Sequence, residues 1–537
     1  MRIRPSATST KPSQPSSAPA RWGGATRRRS RRACALATRL RPGGRAADPE
    51  AARCYRAPMP AARGLTLLGL VLLSWATACS QPASPNLLLI TVDTLRADRL
   101  SCYGGPGGVG REICALGESG TRFQWAFSTA ASTAPAMTSM LTSLYLPQHE
   151  VWQDMRSKLD PKFETLASEL KKGGYQTAAF VSNPVLWKER QLDRGFDHYD
   201  DEMSRREPGR PNLRERAAAA TTDAALAWAR EATGPWFIWV HYQDPHGPYL
   251  PPGATLPEEI EGSRKLRVLN DASGFRGIPI YQKLADLRGL QTYEEMYLAE
   301  IRYADRQIGR LLRSLDSLGP RPGVLLTADH GEAFGEDAFY MAHGHSPALE
   351  LVRVPMLWRP PAGGPSGGLV RESVSLVDVA PTLLHLAGLP IPGSFRGRSL
   401  PLDGSEGPAR VIFTEQMRFV AAILEGRYYT RERHPGSPNW NGGAWSHFYP
   451  DLPPRVAELG RGPALPPYVP AAEADTSEIE PPLEAFLGAW PLRIGNWARE
   501  EVSDELRAQL HELGYLLEPT PPESDSPGGV DEEAEPR

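Results

Sequence analysis

The chain has 537 residues, a net charge of −3, and 41% apolar and 23% charged residues. That length allows one large α/β domain with additions, or two or three small ones. The composition is ordinary for a soluble globular protein, excludes none of the enzyme classes, and is rich enough in Pro and Gly to predict long loops.

The small net charge hides an asymmetry. Residues 1–58 hold 14 Lys and Arg against Asp48 and Glu50, a net of +12, so the remainder carries −3 − 12 = −15. The Arg27–Arg32 cluster is one that nucleic acid would attract. The segment has no hydrophobic period, however, and reads as a basic extension ahead of the native start; no nucleic-acid partner is expected. From Met59 the chain runs MPAARGLTLLGLVLLSWATACS. Arg63 is a positive n-region, Leu65–Leu73 an apolar h-region, and Ala76-Thr77-Ala78 supply small residues before Cys79. This is a secretory signal, and it resembles that of a bacterial lipoprotein, with Cys79 as the lipidated first mature residue. The resemblance implies a signal peptide at 59–78, a linker at 79–84, and a mature chain held on the cell envelope by a lipid anchor. Of the five cysteines, Cys34, Cys54, Cys79, Cys102 and Cys114, only the last two then remain for a disulfide, which sequence alone cannot prove.

Asn86–Val92 is a continuous apolar run, the mark of a strand buried on both faces. It ends on Asp93-Thr94. A carboxylate at the carboxyl end of such a strand faces the crevice where open α/β sheets bind ligands. Asp93 is therefore read as a ligand residue, with the capping of a turn as the alternative. The stretch Ser132–Ser143, STAPAMTSMLTS, then opens a helix. A hydroxyl there meets free N–H groups and a positive dipole end, so Thr133 is either a helix cap or a nucleophile beside an oxyanion site.

Further on, Phe163–Lys172 is predicted helical, Gln176–Val181 a strand, Asn212–Thr233 a helix and Trp236–Tyr242 a buried strand. That strand feeds a loop holding His246. A long amphipathic helix is predicted at Thr292–Leu318, and Gly323–Thr327 is another buried strand, ending in Asp329-His330. An oxygen and a nitrogen side by side suit a divalent metal. His343-Gly344-His345 precedes a strand at Arg353–Trp358, and at least one of these histidines is expected in the site. Strands alternating with helices predict a mainly parallel sheet flanked by helices. Val411–Gln416, Phe419–Leu424 and Arg427–Thr430 read as an antiparallel meander in a smaller C-terminal α+β subdomain. Long loops are expected over 435–500, a short helix at Ser503–Leu516, and an acidic disordered tail from 517 to 537. The catalytic domain is placed at 85–405 and the subdomain at 406–516.

Seven segments taken together, PNLLLITVDTLRADRLSCYG, STAPAMTSMLTSLYLPQH, GYQTAAFVSNP, FIWVHYQDPHGPY, LLTADHGE, HGHSPALELVRVP and LVDVAPTLLHLAGL, resemble the sulfatase family of the alkaline phosphatase superfamily. They span about residues 85–400. The resemblance implies an alkaline-phosphatase-like α/β fold. It places Thr133 where sulfatases carry the cysteine converted to formylglycine, Asp93, Asp329 and His330 on metal-binding positions, His246 on a substrate-side histidine, and His343 in the His-Gly segment of the site. Thr133 cannot become formylglycine. Met137 stands where the family's C-x-P-x-R motif has Arg, Thr94 replaces a second Asp, and Val181-Ser182-Asn183 replaces a Gly-Lys-Trp segment with its lysine.

These features point to a metal-dependent hydrolase of sulfate or phosphate esters, with phosphate esters preferred, working through a Thr133 nucleophile and a covalent threonyl ester. One divalent ion (Zn, Mn, Mg or Ca) is expected on Asp93, Thr133, Asp329 and His330. His345 and Asn183 are candidates for substrate or a second metal, and His343 or His345 for the leaving-group acid. The substrate would be a small-molecule, glycan or lipid ester. A transferase of phosphoryl headgroups and a non-catalytic binding lipoprotein of the same fold are the alternatives.

Overall fold

A computed structural model describes residues 84–152, 154, 157–203, 216–405, 407–416, 418–433 and 452–491. Strand β1 (Leu87–Val92) leads to helix α1 (Arg111–Glu118), strand β2 (Thr121–Phe127) and helix α2 (Thr133–Thr142). The short helix α3 (Leu146–His149), helix α4 (Leu166–Lys172) and strands β3 (Gln176–Val181) and β4 (His198–Asp200) follow. Next come helix α5 (Ala218–Ala229), strand β5 (Trp236–Tyr242), the long helix α6 (Leu290–Leu318) and strand β6 (Gly323–Ala328). A small hairpin of β7 (Ala333–Phe334) and β8 (Tyr340–Ala342) precedes the single turn α7 (Leu349–Val352), strands β9 (Arg353–Arg359) and β10 (Gly368–Ser375), and helix α8 (Val379–Leu386). A second sheet contains β11 (Ile412–Gln416), β12 (Phe419–Leu424), β13 (Arg427–Glu432), β14 (Arg455–Glu458) and β15 (Val469–Pro470), and helix α9 (Glu480–Ala489) packs on it.

The main sheet has the order β10-β2-β9-β6-β1-β5-β3-β4. Strand β1 runs parallel to both neighbours, β5 and β6, and every residue of these three strands is buried. The sheet is mainly parallel, as the alternation of strands and helices predicts, with β9 alone reversed against β6 and β2. The register fixes the functional edge. Val92 lies opposite Tyr242 on one side and Ala328 on the other. The residues that follow, Asp93 and Asp329, therefore emerge side by side at the carboxyl edge of the sheet.

Most expected elements are present within a residue or two. Three strands of the main sheet have no counterpart in the sequence reading, the three-residue β4 being too short to show a period. Strand β2 mixes Arg and Gln among its apolar residues, and β10 is an edge strand with exposed positions, so neither shows a clean period. Where long loops were expected after 435, the described part of the segment adds β14, β15 and α9. Cys102 and Cys114 are joined by a disulfide, with Cα atoms 5.7 Å apart. Among the described residues no helix is long and apolar enough to cross a membrane. The segments 1–58 and 59–78, Cys79, the helix expected at Ser503–Leu516 and the acidic tail lie outside the described residues.

Candidate active site at the carboxyl edge of the sheet

Asp93, Asp329 and His330 are fully buried, and one potential ligand atom from each lies within 4.8 Å of the others. Asp93 Oδ1 and Asp329 Oδ2 have no hydrogen-bond partner. Asp329 Oδ1 is occupied; it accepts from the N–H of Thr94 at 3.1 Å and of His330 at 2.8 Å. His330 Nδ1 donates to the Gly331 carbonyl at 2.9 Å, which turns Nε2 into the cluster. Two orphaned carboxylate oxygens and one imidazole nitrogen facing each other in a buried site are what a divalent cation satisfies, and this donor set suits Zn²⁺ or Mn²⁺ better than Ca²⁺. Among the described residues no second group of three or more His, Cys, Asp or Glu ligands gathers.

Two backbone devices hold this geometry. Thr94 adopts a left-handed conformation (φ 53°), unusual for a β-branched residue, in the turn where its N–H donates to Asp329. Gly331 lies so close to α7 that a Cβ there would sit 2.0 Å from the Glu350 carbonyl. Only glycine lets the turn after β6 pass.

The electrostatics follow from burial. Burial alone would push the Asp93 carboxyl up; the His241 contact and the charges of His246 and His330 outweigh it and hold Asp93 well below the usual carboxylate range. Burial and the neighbouring Asp93 charge push Asp329 up to about 6. For His330, burial works against protonation, but the charges of Asp329 and Asp93 prevail and raise it. In place of those protons a cation would leave both carboxylates ionised.

Thr133 is the first residue of α2 and is 1% exposed. Ser132 fills the N-cap position, but its side chain makes no capping hydrogen bond. The Thr133 hydroxyl lies 3.2 Å from His330 Nε2. It is thus turned to the Asp93–Asp329–His330 cluster instead of capping its own helix. Met137, one turn on, is fully buried in the apolar core.

Around the cluster stand three polar groups with separate partners. His246 Nδ1 donates to the Gly247 carbonyl at 2.8 Å, and burial lowers its pKa. His343 Nδ1 lies 3.1 Å from Glu332 Oε1, and Tyr249 donates to Glu332 Oε2 at 2.9 Å. Burial pushes Glu332 up to about 7 and, with the charge of His330, His343 down to about 3. A proton shared by this pair therefore rests on Glu332, and His343 then carries its own proton on Nε2. The His343 ring is 4.5 Å from that of His330 and 5.2 Å from that of His246, centroid to centroid.

Two of the expected site residues are engaged differently. His345 stacks on Phe339 at 3.7 Å, with neither ring nitrogen hydrogen-bonded. Asn183 Nδ2 donates to Asp93 Oδ2 at 2.5 Å while its Oδ1 accepts from the Val185 N–H, so both ends of the amide are occupied. Asp244 accepts from the Ala218 N–H and so caps α5.

The sequence reading had no place for Asp154, His241, Glu332 or Gln416. Asp154 accepts from the Ala134 N–H at 2.7 Å, putting a carboxyl on the positive end of α2; burial pushes it up to about 6. Gln416, at the end of β11, accepts from the Ala131 N–H at 3.0 Å and from the Ser132 hydroxyl at 3.4 Å, and donates to the Gly344 carbonyl at 3.0 Å. Nothing short-range in the sequence signals a residue that distant.

A mainly parallel sheet with a buried carboxylate–imidazole cluster at its carboxyl edge, a hydroxyl at a helix start beside it and a second, antiparallel sheet define an ester hydrolase of the alkaline phosphatase superfamily. A family model described as Sulfatase matches residues 85–389, more than half of the chain, and the chain belongs to that family. Arylsulfatase K of Bos taurus is 25% identical over 385 residues, covering 63% of this chain and 68% of the relative. An N-acetylglucosamine-6-O-sulfatase of Bacteroides thetaiotaomicron is 24% identical over 429 residues, covering 64% and 75%. Among solved structures, a phosphonate monoester hydrolase of Agrobacterium radiobacter superposes with a TM-score of 0.56 at 20% identity, over 76% of this chain and 95% of that one. A sulfatase-like protein of Bacteroides thetaiotaomicron gives 0.57 at 19%, over 76% and 92%. These structural likenesses establish the fold.

Proposed function

We propose that this chain hydrolyses phosphate or phosphonate esters through an unmodified Thr133 nucleophile at a divalent-cation site of Asp93, Asp329 and His330. The observation that carries this reading is the Thr133 hydroxyl 3.2 Å from His330 Nε2, inside the cluster and free of any capping role. A threonine offers no aldehyde, so the formylglycine route to sulfate release is closed to it. The bound cation would supply positive charge that lowers the hydroxyl pKa and offsets charge on the substrate's oxygens.

Thr133 Oγ1, its proton given up to water before the cycle and departing as the same alkoxide in the last step, attacks the central phosphorus; a bond forms between them, and the ester oxygen leaves with its electron pair. His343 Nε2–H protonates that oxygen while Nδ1 takes the proton from Glu332. The His246 ring, 5.2 Å from that of His343, borders the same space and orients the substrate. Water then attacks the threonyl ester, its proton returns to the His343–Glu332 pair, and Thr133 is regenerated. Sulfate esters are the second reading, favoured by the activities named for the curated relatives.

Thr133→Ala is expected to lower kcat by at least ~10³-fold in a protein that still folds and binds cation. Accurate mass spectrometry of the Thr133 peptide after a substrate quench is expected to find a phosphoryl adduct. A sulfuryl adduct would select the second reading, and full activity of the variant would remove Thr133 from the mechanism.

For location, we propose export and anchoring through lipidated Cys79. The Cys102–Cys114 disulfide supports an oxidising compartment. Cys79→Ala is expected to move the protein from the membrane fraction to the soluble fraction; unchanged partitioning would rule the anchor out.

A further inference from the structure

Trp239 and His241 project from one face of β5, and Thr91 and Asp93 from the matching face at the end of β1. Residues two apart share a face, and the register sets Leu89 opposite Trp239 and Thr91 opposite His241. All four side chains are fully buried. The contacts zigzag between the strands. Trp239 Nε1 donates to Thr91 Oγ1 at 2.9 Å; Thr91 Oγ1 lies 2.8 Å from His241 Nδ1; His241 Nε2 lies 3.5 Å from Asp93 Oδ2.

Donor and acceptor roles settle the direction. An indole N–H only donates, so Thr91 Oγ1 accepts there. The hydroxyl proton of a buried threonine needs an acceptor of its own, and the other partner of Thr91 is His241 Nδ1. A ring nitrogen that accepts leaves the ring proton on the other nitrogen, so His241 presents Nε2–H to Asp93. Asp93 Oδ2 accepts from Asn183 Nδ2 and faces His241 Nε2 at 3.5 Å, a nitrogen with no hydrogen-bond partner of its own, while Oδ1 is the carboxylate oxygen left without a partner.

We infer that His241 is a positioning residue of the cation site. Through the Trp239–Thr91–His241 chain it fixes Asp93 with Oδ2 turned to the protein and Oδ1 turned to Asp329 and His330. This rests on the cation-site reading above and adds to it a supporting residue that does not itself ligate. Partners of this kind orient a carboxylate before the cation arrives, and losing one typically weakens binding by about 10–100-fold.

The test measures Zn²⁺ affinity of the metal-stripped, folded protein by chelator competition, together with the visible spectrum of the Co²⁺-loaded protein. His241→Phe is expected to weaken Zn²⁺ binding about 10–100-fold and to leave the saturated Co²⁺ spectrum unchanged. Thr91→Val, which keeps the shape and removes the hydroxyl, is expected to weaken binding in the same direction, and Thr91→Ser to restore it. These two variants decide the matter if His241→Phe does not fold. Unchanged affinity in His241→Phe, or in Thr91→Val where that variant decides, overturns the inference. A Co²⁺ spectrum that loses an imidazole ligand overturns it too, because His241 would then be in the coordination shell. A wild-type protein that takes up no cation fails differently: it removes the cation site itself, and the inference with it.

Discussion

Asp329 holds a proton up to about pH 6 because it is buried beside the Asp93 charge. A cation must displace that proton and any on His330, whose pKa is also raised. Binding is therefore expected to release protons near pH 6 and fewer as the pH is raised. Calorimetry in buffers of different ionisation enthalpy measures this directly. The sign for stability follows. The folded pKa of Asp329 lies above its ordinary value of 3.8, so its contribution to the cation-free protein is lost as pH rises from about 4 to about 6. Cation binding recovers it, so the gain in melting temperature on loading is expected to be larger at pH 8 than at pH 5. Asp154 poses a related question of charge. Its carboxyl occupies the N–H of Ala134, at the helix end that would otherwise receive an anionic substrate. Asp154→Asn keeps a hydrogen-bond acceptor there and removes the charge. It is expected to lower KM for an anionic ester by about tenfold at pH 8, with a smaller change at pH 5, where the acid is already neutral.

At the scale of elements, the start of α2 that carries Thr133 and the loop that carries His343 are tied together from outside the main sheet. β11 supplies Gln416, which bridges Ala131 and Ser132 to Gly344, and the Glu415 N–H donates to the Thr129 carbonyl at 2.9 Å. Behind it Glu415 is paired with Arg433 in a buried ion pair. Gln416→Ala leaves the Ala131 N–H and the Gly344 carbonyl without their partner, at a stability cost of about 1–3 kcal/mol. Because it frees both loops at once, kcat is expected to fall about tenfold or more with little change in cation affinity; equal losses in both would point to general unfolding. The same element marks the limit of what sequence discloses. β1, β5 and β6 are legible because strands buried on both faces read as unbroken apolar runs, and the residues after them, Asp93 and Asp329-His330, inherit their position from that pattern. Thr133 is legible as a hydroxyl at a helix start. Gln416 is not, because its role arises from contacts across 285 and 72 residues of chain. His241 sat in plain view within WFIWVHY, but only the β1–β5 register shows which side chain it meets. His345 was a candidate for substrate, a second metal or the leaving-group acid, and the loop stacks it on Phe339.

For the whole molecule, the loop leaving Asp93 is fixed at several points. Arg96 donates to the Glu332 carbonyl and pairs with Asp98 and Glu336, and Tyr103 donates to the Phe123 and Met356 carbonyls. The disulfide closes the loop between Cys102 and Cys114, a separation of 12 residues. Cross-linking a loop of that size removes conformational freedom mainly from the unfolded chain, worth about 3 kcal/mol in the chain-entropy model. The native hydrogen bonds of Arg96 and Tyr103 do not depend on it. Reduction, or Cys102→Ala combined with Cys114→Ala, is therefore expected to lower the unfolding midpoint while kcat at 25 °C stays within about twofold. Thermal melts paired with turnover assays, with and without reductant, separate the two effects. A loss of kcat that precedes the loss of stability would mean that the bridge holds the Asp93 loop in the native state as well.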